Sequence, residues 1–371
     1  MGTRSFPVLA DLFGQYQRRI RMKVHSRIGI TAFAVLVASM FTGAAEAQQA
    51  SGSAGAPEVK TLTIVTTSDV QIGGPWVIAR EKGYFAQEGF SQVEVKLYSA
   101  VPAAFPSFVS GQVHVMSSAE QPMITLVAGD IPLKVVGIYS DMTGLHGMIA
   151  NSKIQTAKDL EGKTVGVQKG SPLEWYTRNF CKVYGCDLSK VNLVNMPAQE
   201  GVSALVNGSI DAYAGWQPFI GRALAAGKDQ GLHMLHYNNT SRMKGSEGPK
   251  KLHTSYAILY VDTAFLEKNP KTVEALLRIL DKSINYIKSN RADAAKILAT
   301  EYKITEADAA SYIDGVKFDL SINNKVVSDF QGTANILWSE KLIKKPVDFA
   351  KTALDVDPLK SVLPSDVTYG R

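Results

Sequence analysis

Only two cysteines, six histidines and four tryptophans occur in 371 residues, and each scarcity closes off a class of function. Cys181 and Cys186 form no CxxC pair, so a thiolate metal site or a dithiol redox motif has nothing to build on. His233 and His236, in GLHMLHY, stand three apart on an expected strand and point to opposite faces, which argues against a shared metal. There is no GxSxG, and no cysteine is paired in sequence with a candidate histidine, so the usual nucleophile motifs are missing. The GKT at Gly162 to Thr164 fails as a phosphate loop. Ala157 stands where the leading glycine should be, and a strand follows where a helix should. No run after residue 41 is apolar enough for a membrane span. The expectation is a chain with no metal, no cofactor and no catalytic residues.

A basic excess is also missing once the start of the chain is set aside. From Met22 the sequence reads MKVHSRIGITAFAVLVASMFTGAAEA, with Lys23 and Arg27 ahead of a 14-residue apolar run and small residues at Ala45-Glu46-Ala47. This is the pattern of a cleaved secretory signal, expected to span residues 1–47 with the true start at Met22. Its removal takes six basic and two acidic residues, so the formal charge falls from +6 to +2. No basic stripe is left, and nucleic acid is not an expected partner. The product is expected to be a free, monomeric periplasmic protein, with residues 48–58 (QQASGSAGAPE) as a disordered linker. In an oxidising compartment Cys181 and Cys186 can pair across a helix end at Gly185. Two free thiols are the alternative, because continuous helix would hold the α-carbons too far apart.

What is abundantly present is a duplication. KTLTIVTT, VEVKLYSA and VHVMSS read as strands, separated by a helix that starts at Pro75 and stops at Gly83 and by a short helix, Phe105 to Val109, stopped by Gly111. The same order recurs in KTVGV, a helix from Pro172 to Gly185, VNLVNM, a helix stopped by Gly208, and IDAYAG. One offset of 97 carries Pro75 to Pro172 and Gly111 to Gly208. Two βαβαβ units imply an α/β fold of two lobes, each a mostly parallel sheet flanked by helices. The expected division is residues 59–148 for the first part of lobe 1, 149–252 for lobe 2, and 253–371 for the completion of lobe 1. LHGMIAN and HTSYAILYV would be the two hinge strands. Asn269-Pro270 is expected to cap a helix that buries Val273, Leu276, Leu277, Leu280, Ile284 and Ile287 on one face. Ligands of such sheets collect at the carboxyl ends of strands, so SDVQIGGPW, SSAEQ, QKGSP and GWQP are expected to line one cleft.

AREKGYFAQEG (Ala79 to Gly89), Gly170-Ser171-Pro172 and the Trp-x-Pro of Trp216 to Pro218, in this order on an exported and duplicated scaffold, resemble the NMT1/THI5-like family. That family includes the periplasmic binding proteins of ABC importers for nitrate, taurine and alkanesulfonates, and the resemblance runs from about residue 60 to 345. It implies a type II periplasmic binding protein that closes on a small organic anion and delivers it to an ABC permease and its ATPase. By position it points to Pro75, Trp76, Ser117, Ser118, Glu120, Gln121, Gly170, Ser171 and Trp216 as ligand contacts. Gln217 stands where many members carry a carboxylate, which counts against taurine.

The residues themselves point to an oxyanion at Gly170-Ser171, ahead of a helix N-terminus. Ser117 and Ser118 would add hydroxyl donors, and Trp76 and Trp216 would be apolar walls. Trp175 is assigned to the core and Lys169 to solvent. An alkane- or arylsulfonate fits best. An aromatic carboxylate, taurine and nitrate are alternatives, as is a thiamine-precursor pyrimidine, which would want a carboxylate such as Asp69 or Glu120. His146 and His253, in the hinge runs, are read first as satisfied structural histidines, with contact to the ligand or to each other as the alternative. The rival class is a pyrimidine-precursor synthase-like enzyme, which the family pattern ties to a cysteine-rich segment absent here. A receptor's sensory module is the third.

Overall fold

The computed structural model describes residues 55–370, so the expected signal at 1–47 and the first part of the linker lie outside the described residues. Among the described residues, the strands form two sheets. The first holds β1 (Thr61–Thr67), β2 (Gln92–Tyr98), β3 (Val115–Ala119), β4 (Leu133–Asp141), β12 (Tyr256–Asp262) and β13 (Lys317–Phe318), in the order β13-β4-β12-β3-β1-β2. The second holds β5 (His146–Ala150), β6 (Thr164–Val167), β7 (Asn192–Asn195), β8 (Ala212–Trp216), β9 (His233–Tyr237), β10 (Thr240–Ser241) and β11 (Gly248–Pro249), in the order β11-β10-β9-β5-β8-β6-β7.

The duplication is visible in the pairing. β1 lies parallel to both β2 and β3, and β6 lies parallel to both β7 and β8. The two glycines related by the offset both adopt left-handed backbone, Gly111 at φ +72° and Gly208 at φ +78°. Each ends a helix and turns the chain into β3 or β8, a conformation that costs glycine no Cβ clash. An antiparallel strand completes each unit, β12 beside β3 and β5 beside β8. The two expected hinge runs therefore each lie within one sheet. The chain passes between sheets over the short segments 142–145 and 250–255, which are joined by Met142 N–H to Ser255 C=O (3.0 Å) and Ser255 N–H to Thr143 Oγ1 (2.9 Å).

Helices cover the sheets where the apolar spacing calls for them. Pro270–Ser289 buries Val273, Leu276, Leu277, Leu280, Ile284 and Ile287, the predicted face. Its cap differs from expectation: Asn269 makes no side-chain cap. Instead the Glu58 carboxylate accepts from the backbone N–H of Lys271 (2.9 Å) and Thr272 (2.6 Å) and from the Thr272 hydroxyl (2.7 Å). The end of the supposed linker is thus part of the fold. Cys181 and Cys186 are disulfide-bonded with their α-carbons 4.5 Å apart. The helix Pro172–Tyr184 stops at Gly185, and Cys186 N–H turns back onto the Cys181 carbonyl (3.0 Å), which brings the two residues within bonding range.

Candidate binding cleft

Loops from the carboxyl ends of five parallel strands meet around about 420 Å³ of space between the two sheets, part of it open to solvent. Thr67, Asp69, Gln71 and Ile72 come from the loop after β1, and Ser99 to Pro102 from the loop after β2. Ser118, Ala119 and Pro122 follow at the end of β3 and the start of helix Glu120–Ala128. The second sheet contributes Gln168 and Ser171 after β6, and Trp216 at the end of β8. Met142 and His146 close the side where the chain crosses between sheets. No lysine or arginine lines this space among the described residues. The arrangement suits a small solute held by neutral polar groups against one aromatic wall.

Five of the residues singled out from the sequence meet here: Asp69, Ser118, Ser171, Trp216 and His146. The others are placed elsewhere. Trp76 and Pro75 sit in the first turn of helix Gly74–Glu81, which is buried from Gly74 through Ala79. Trp76 is fully buried and stacks on Phe85 with ring centroids 6.5 Å apart, so it packs the core and does not wall the cleft. Ser117 faces away from Ser118 on β3 and bonds the Tyr139 hydroxyl (2.5 Å) and the Ile258 carbonyl (3.0 Å). Gln121 is buried in its helix, where its carbonyl accepts from the Thr125 hydroxyl (3.1 Å). Gln217 turns its side chain back to accept from Gly221 N–H (2.9 Å). Trp175 is half-buried and lies away from the cleft.

The oxyanion loop is occupied by the protein itself. Gly170 N–H donates to the Glu174 carboxylate one turn ahead (2.9 Å), and the Ser171 hydroxyl donates to the Gln168 carbonyl (2.7 Å) while accepting from Leu173 N–H (3.3 Å). The Ser118 hydroxyl likewise bonds the Ala119 carbonyl (2.8 Å). Gln71 and Gln168 lie in SDVQIGGPW and QKGSP, two of the loops expected to line the cleft, whereas Thr67 and the Ser99 to Pro102 loop were not singled out from the sequence. The rule that ligands collect at strand carboxyl ends already pointed to the loop after β2.

Charge inside the cleft is muted by burial. The Asp69 carboxyl is pushed up to about 6 by burial, against hydrogen bonds from the backbone N–H of Ile72 (2.9 Å) and Gly73 (3.5 Å). Glu120, also buried, does not reach the cavity. It accepts from Tyr256 N–H (3.0 Å) and the Ser255 hydroxyl (3.5 Å), and burial, reinforced by Asp141, raises it to about 8. His146 Nδ1 and His253 Nε2 lie 2.6 Å apart with the rings stacked, so one neutral imidazole donates to the other. Burial lowers His146 to about 3 and also lowers His253, with the neighbouring His146, His236 and Lys251 adding to the effect. The pair joins the second crossing segment to the start of β5, and His146 sits opposite Trp216 in the β5–β8 register. His236 is bonded through both nitrogens, to the Tyr176 hydroxyl and the Lys250 carbonyl (2.9 Å each).

The chain is 26% identical over 325 residues to a candidate aliphatic sulfonates-binding protein of Bacillus subtilis (strain 168), covering 85% of this chain and 92% of the relative. It is similar in structure to the alkanesulfonate-binding protein SsuA from Xanthomonas axonopodis pv. citri bound to MOPS, with a TM-score of 0.66 at 17% identity over 84% of this chain and 99% of that one. The desulfurization enzyme DSZB shares the fold as well, with a TM-score of 0.58 at 14% identity over 82% of this chain and 99% of that one. At such identities the structural likenesses establish the fold alone. The family model described as NMT1/THI5 like matches residues 74–294, more than half of the chain, and the protein belongs to that family.

Proposed function

We propose that this protein is the solute-binding component of an ABC importer: it captures a small organic anion, an alkane- or arylsulfonate, between its lobes and delivers it to a membrane permease and its ATPase. A periplasmic location goes with this role. The observation that carries the reading is the convergence of five strand-end loops from two sheets on one cavity, so that a single solute touches both lobes. Such a solute favours the closed arrangement by its differential contacts. Support for the ligand class comes from the sulfonate-binding relatives and from Trp216, whose indole packs edge-on against Phe219 (5.7 Å between centroids) and offers an apolar wall.

Binding is favoured over catalysis by the bonding of the cleft's nucleophile-type groups. Ser118 and Ser171 are hydrogen-bonded to backbone carbonyls and His146 to His253, and the two cysteines, away from the cleft, are bonded to each other. No serine–histidine or cysteine–histidine pair forms among the cavity residues. A thermal-shift screen of residues 48–371 against alkanesulfonates, arylsulfonates, aromatic carboxylates, nitrate and pyrimidines tests the reading. A ligand at about 100 times its Kd adds roughly 2.7 kcal/mol, a shift of several degrees. A response confined to pyrimidines would overturn the sulfonate assignment.

A further inference from the structure

His146 stands where the cleft meets the chain crossings. It begins β5, opposite Trp216 in the register, and lines the cavity. Its hydrogen bond within the protein runs from Nδ1 to His253 Nε2, which leaves Nε2 for the cavity. The other nitrogen of His253, Nδ1, is buried and has no partner. Burial keeps both rings neutral, and the neighbouring Lys251 and His236 further oppose a charge on His253. Each ring therefore carries one proton, and the bond between them has two forms. With His146 Nδ1 as donor, the His253 proton would sit on Nδ1, a buried N–H facing no acceptor. With His253 Nε2 as donor, only a lone pair is left bare there, and the His146 proton is driven onto Nε2. A buried N–H without an acceptor is the rarer and costlier defect, so the second form is favoured. The Tyr176 hydroxyl and both nitrogens of His236 are committed to each other and to the Lys250 carbonyl, and do not compete for the pair.

We propose that His146 Nε2–H donates to an oxygen of the bound anion beside Trp216, and that His253 is a positioning residue that holds the His146 proton on that nitrogen. This rests on the proposed capture of small organic anions. With no lysine or arginine along the lining, the anion is met by neutral donors. The hydroxyls of Thr67 and Ser99 and the Gln168 amide line the same cavity, so His146 adds to them and does not act alone. A hydrogen bond to a charged acceptor is stronger than one between neutral groups. An anion on Nε2–H also makes Nδ1 a better acceptor, so occupancy tightens the bond that ties β5 to the second crossing segment.

Nitrogen-15 correlation spectra of the histidine rings, combined with calorimetry, test it with ethanesulfonate and benzenesulfonate as probes. In the wild type His146 is expected to be protonated at Nε2 and bare at Nδ1, and the Nε2–H resonance to shift when a probe binds. His146→Phe, which keeps a ring without the donor, is expected to lose roughly tenfold or more in affinity. His146→Gln, which supplies an amide N–H, is expected to recover most of that loss. His253→Leu is expected to leave His146 in a mixture of tautomers and to weaken binding by less than His146→Phe does, whereas His253→Gln, which returns a donor to Nδ1, restores the single tautomer. A proton on His146 Nδ1 in the wild type, a ring spectrum unmoved by a probe that binds, or wild-type affinity in His146→Phe overturns this inference alone. An unchanged tautomer in His253→Leu overturns the positioning role. Silence of both probes overturns the proposed function along with it.

Discussion

Glu120 is a buried carboxyl that holds elements together behind the cleft without lining it. It opens the helix that follows β3, and its bonds to Tyr256 N–H and Ser255 pin that helix to the crossing segment. With its folded value raised to about 8, it favours folding fully below the unfolded carboxylate range, and that contribution is lost as pH rises from about 4.5 through 8. Glu120→Gln is therefore expected to gain in Tm relative to the wild type between pH 5 and pH 8.5; a difference that is flat or falls with pH would remove the ionisation argument. Residues at strand ends were legible from sequence, since Asp69, Ser118, Ser171 and Trp216 all follow the carboxyl ends of recognisable strands. Trp76 was not, because Pro75 marks a helix start but says nothing about which side of that helix is covered, and here it is buried through its first six residues. The spent N–H of Gly170 depends on a Glu174 rotamer, and the Gln71 side-chain amide donates to the Gln217 carbonyl 146 residues away. Neither leaves a pattern in the chain.

At the scale of elements, the repeat was the strongest signal, because turn glycines and helix-opening prolines recur at fixed places whatever the side chains between them do. The offset survives in Gly111 and Gly208, although the loop after β1 is longer than the loop after β6, and it is in that longer loop that Asp69 and Gln71 lie. The ends of elements were less legible. Asn269 has a capping side chain and a following proline, yet Glu58, 213 residues away in sequence from Lys271, supplies the cap of Pro270–Ser289. Glu58→Ala is expected to cost about 1 kcal/mol in urea unfolding at neutral pH, as loss of a helix cap does. Burial raises the Glu58 carboxyl, but the hydrogen bonds from Thr272 and Lys271 outweigh it and hold the group below its ordinary value. The cap's contribution is thus present above the unfolded carboxylate range and fades as pH falls through the lower folded value. An unchanged unfolding curve at neutral pH would place the helix stability in its buried face alone.

For the molecule as a whole, two short crossings and a few bonds between the sheets set how the lobes sit. Besides the Gln71 bond, the Arg222 guanidinium on helix Phe219–Ala226 donates to the Tyr302 carbonyl, and Arg178 lies 3.7 Å from Glu340. These contacts tie the two lobes together in the arrangement described. Arg222→Ala is expected to enlarge the radius of gyration of the unliganded protein in small-angle scattering by shifting the population toward open forms; an unaltered profile would mean that the tie does not set the balance. The most direct measurement is a calorimetric titration of the wild type and of Trp216→Ala with the tightest sulfonate from the screen. Of the four tryptophans, Trp216 alone lines the space between the lobes. Its truncation is expected to weaken binding by roughly 2 kcal/mol, about thirtyfold in Kd, with the fold retained. An affinity equal to the wild type's would show that the sulfonate binds elsewhere and that the interlobe cavity is not the capture site.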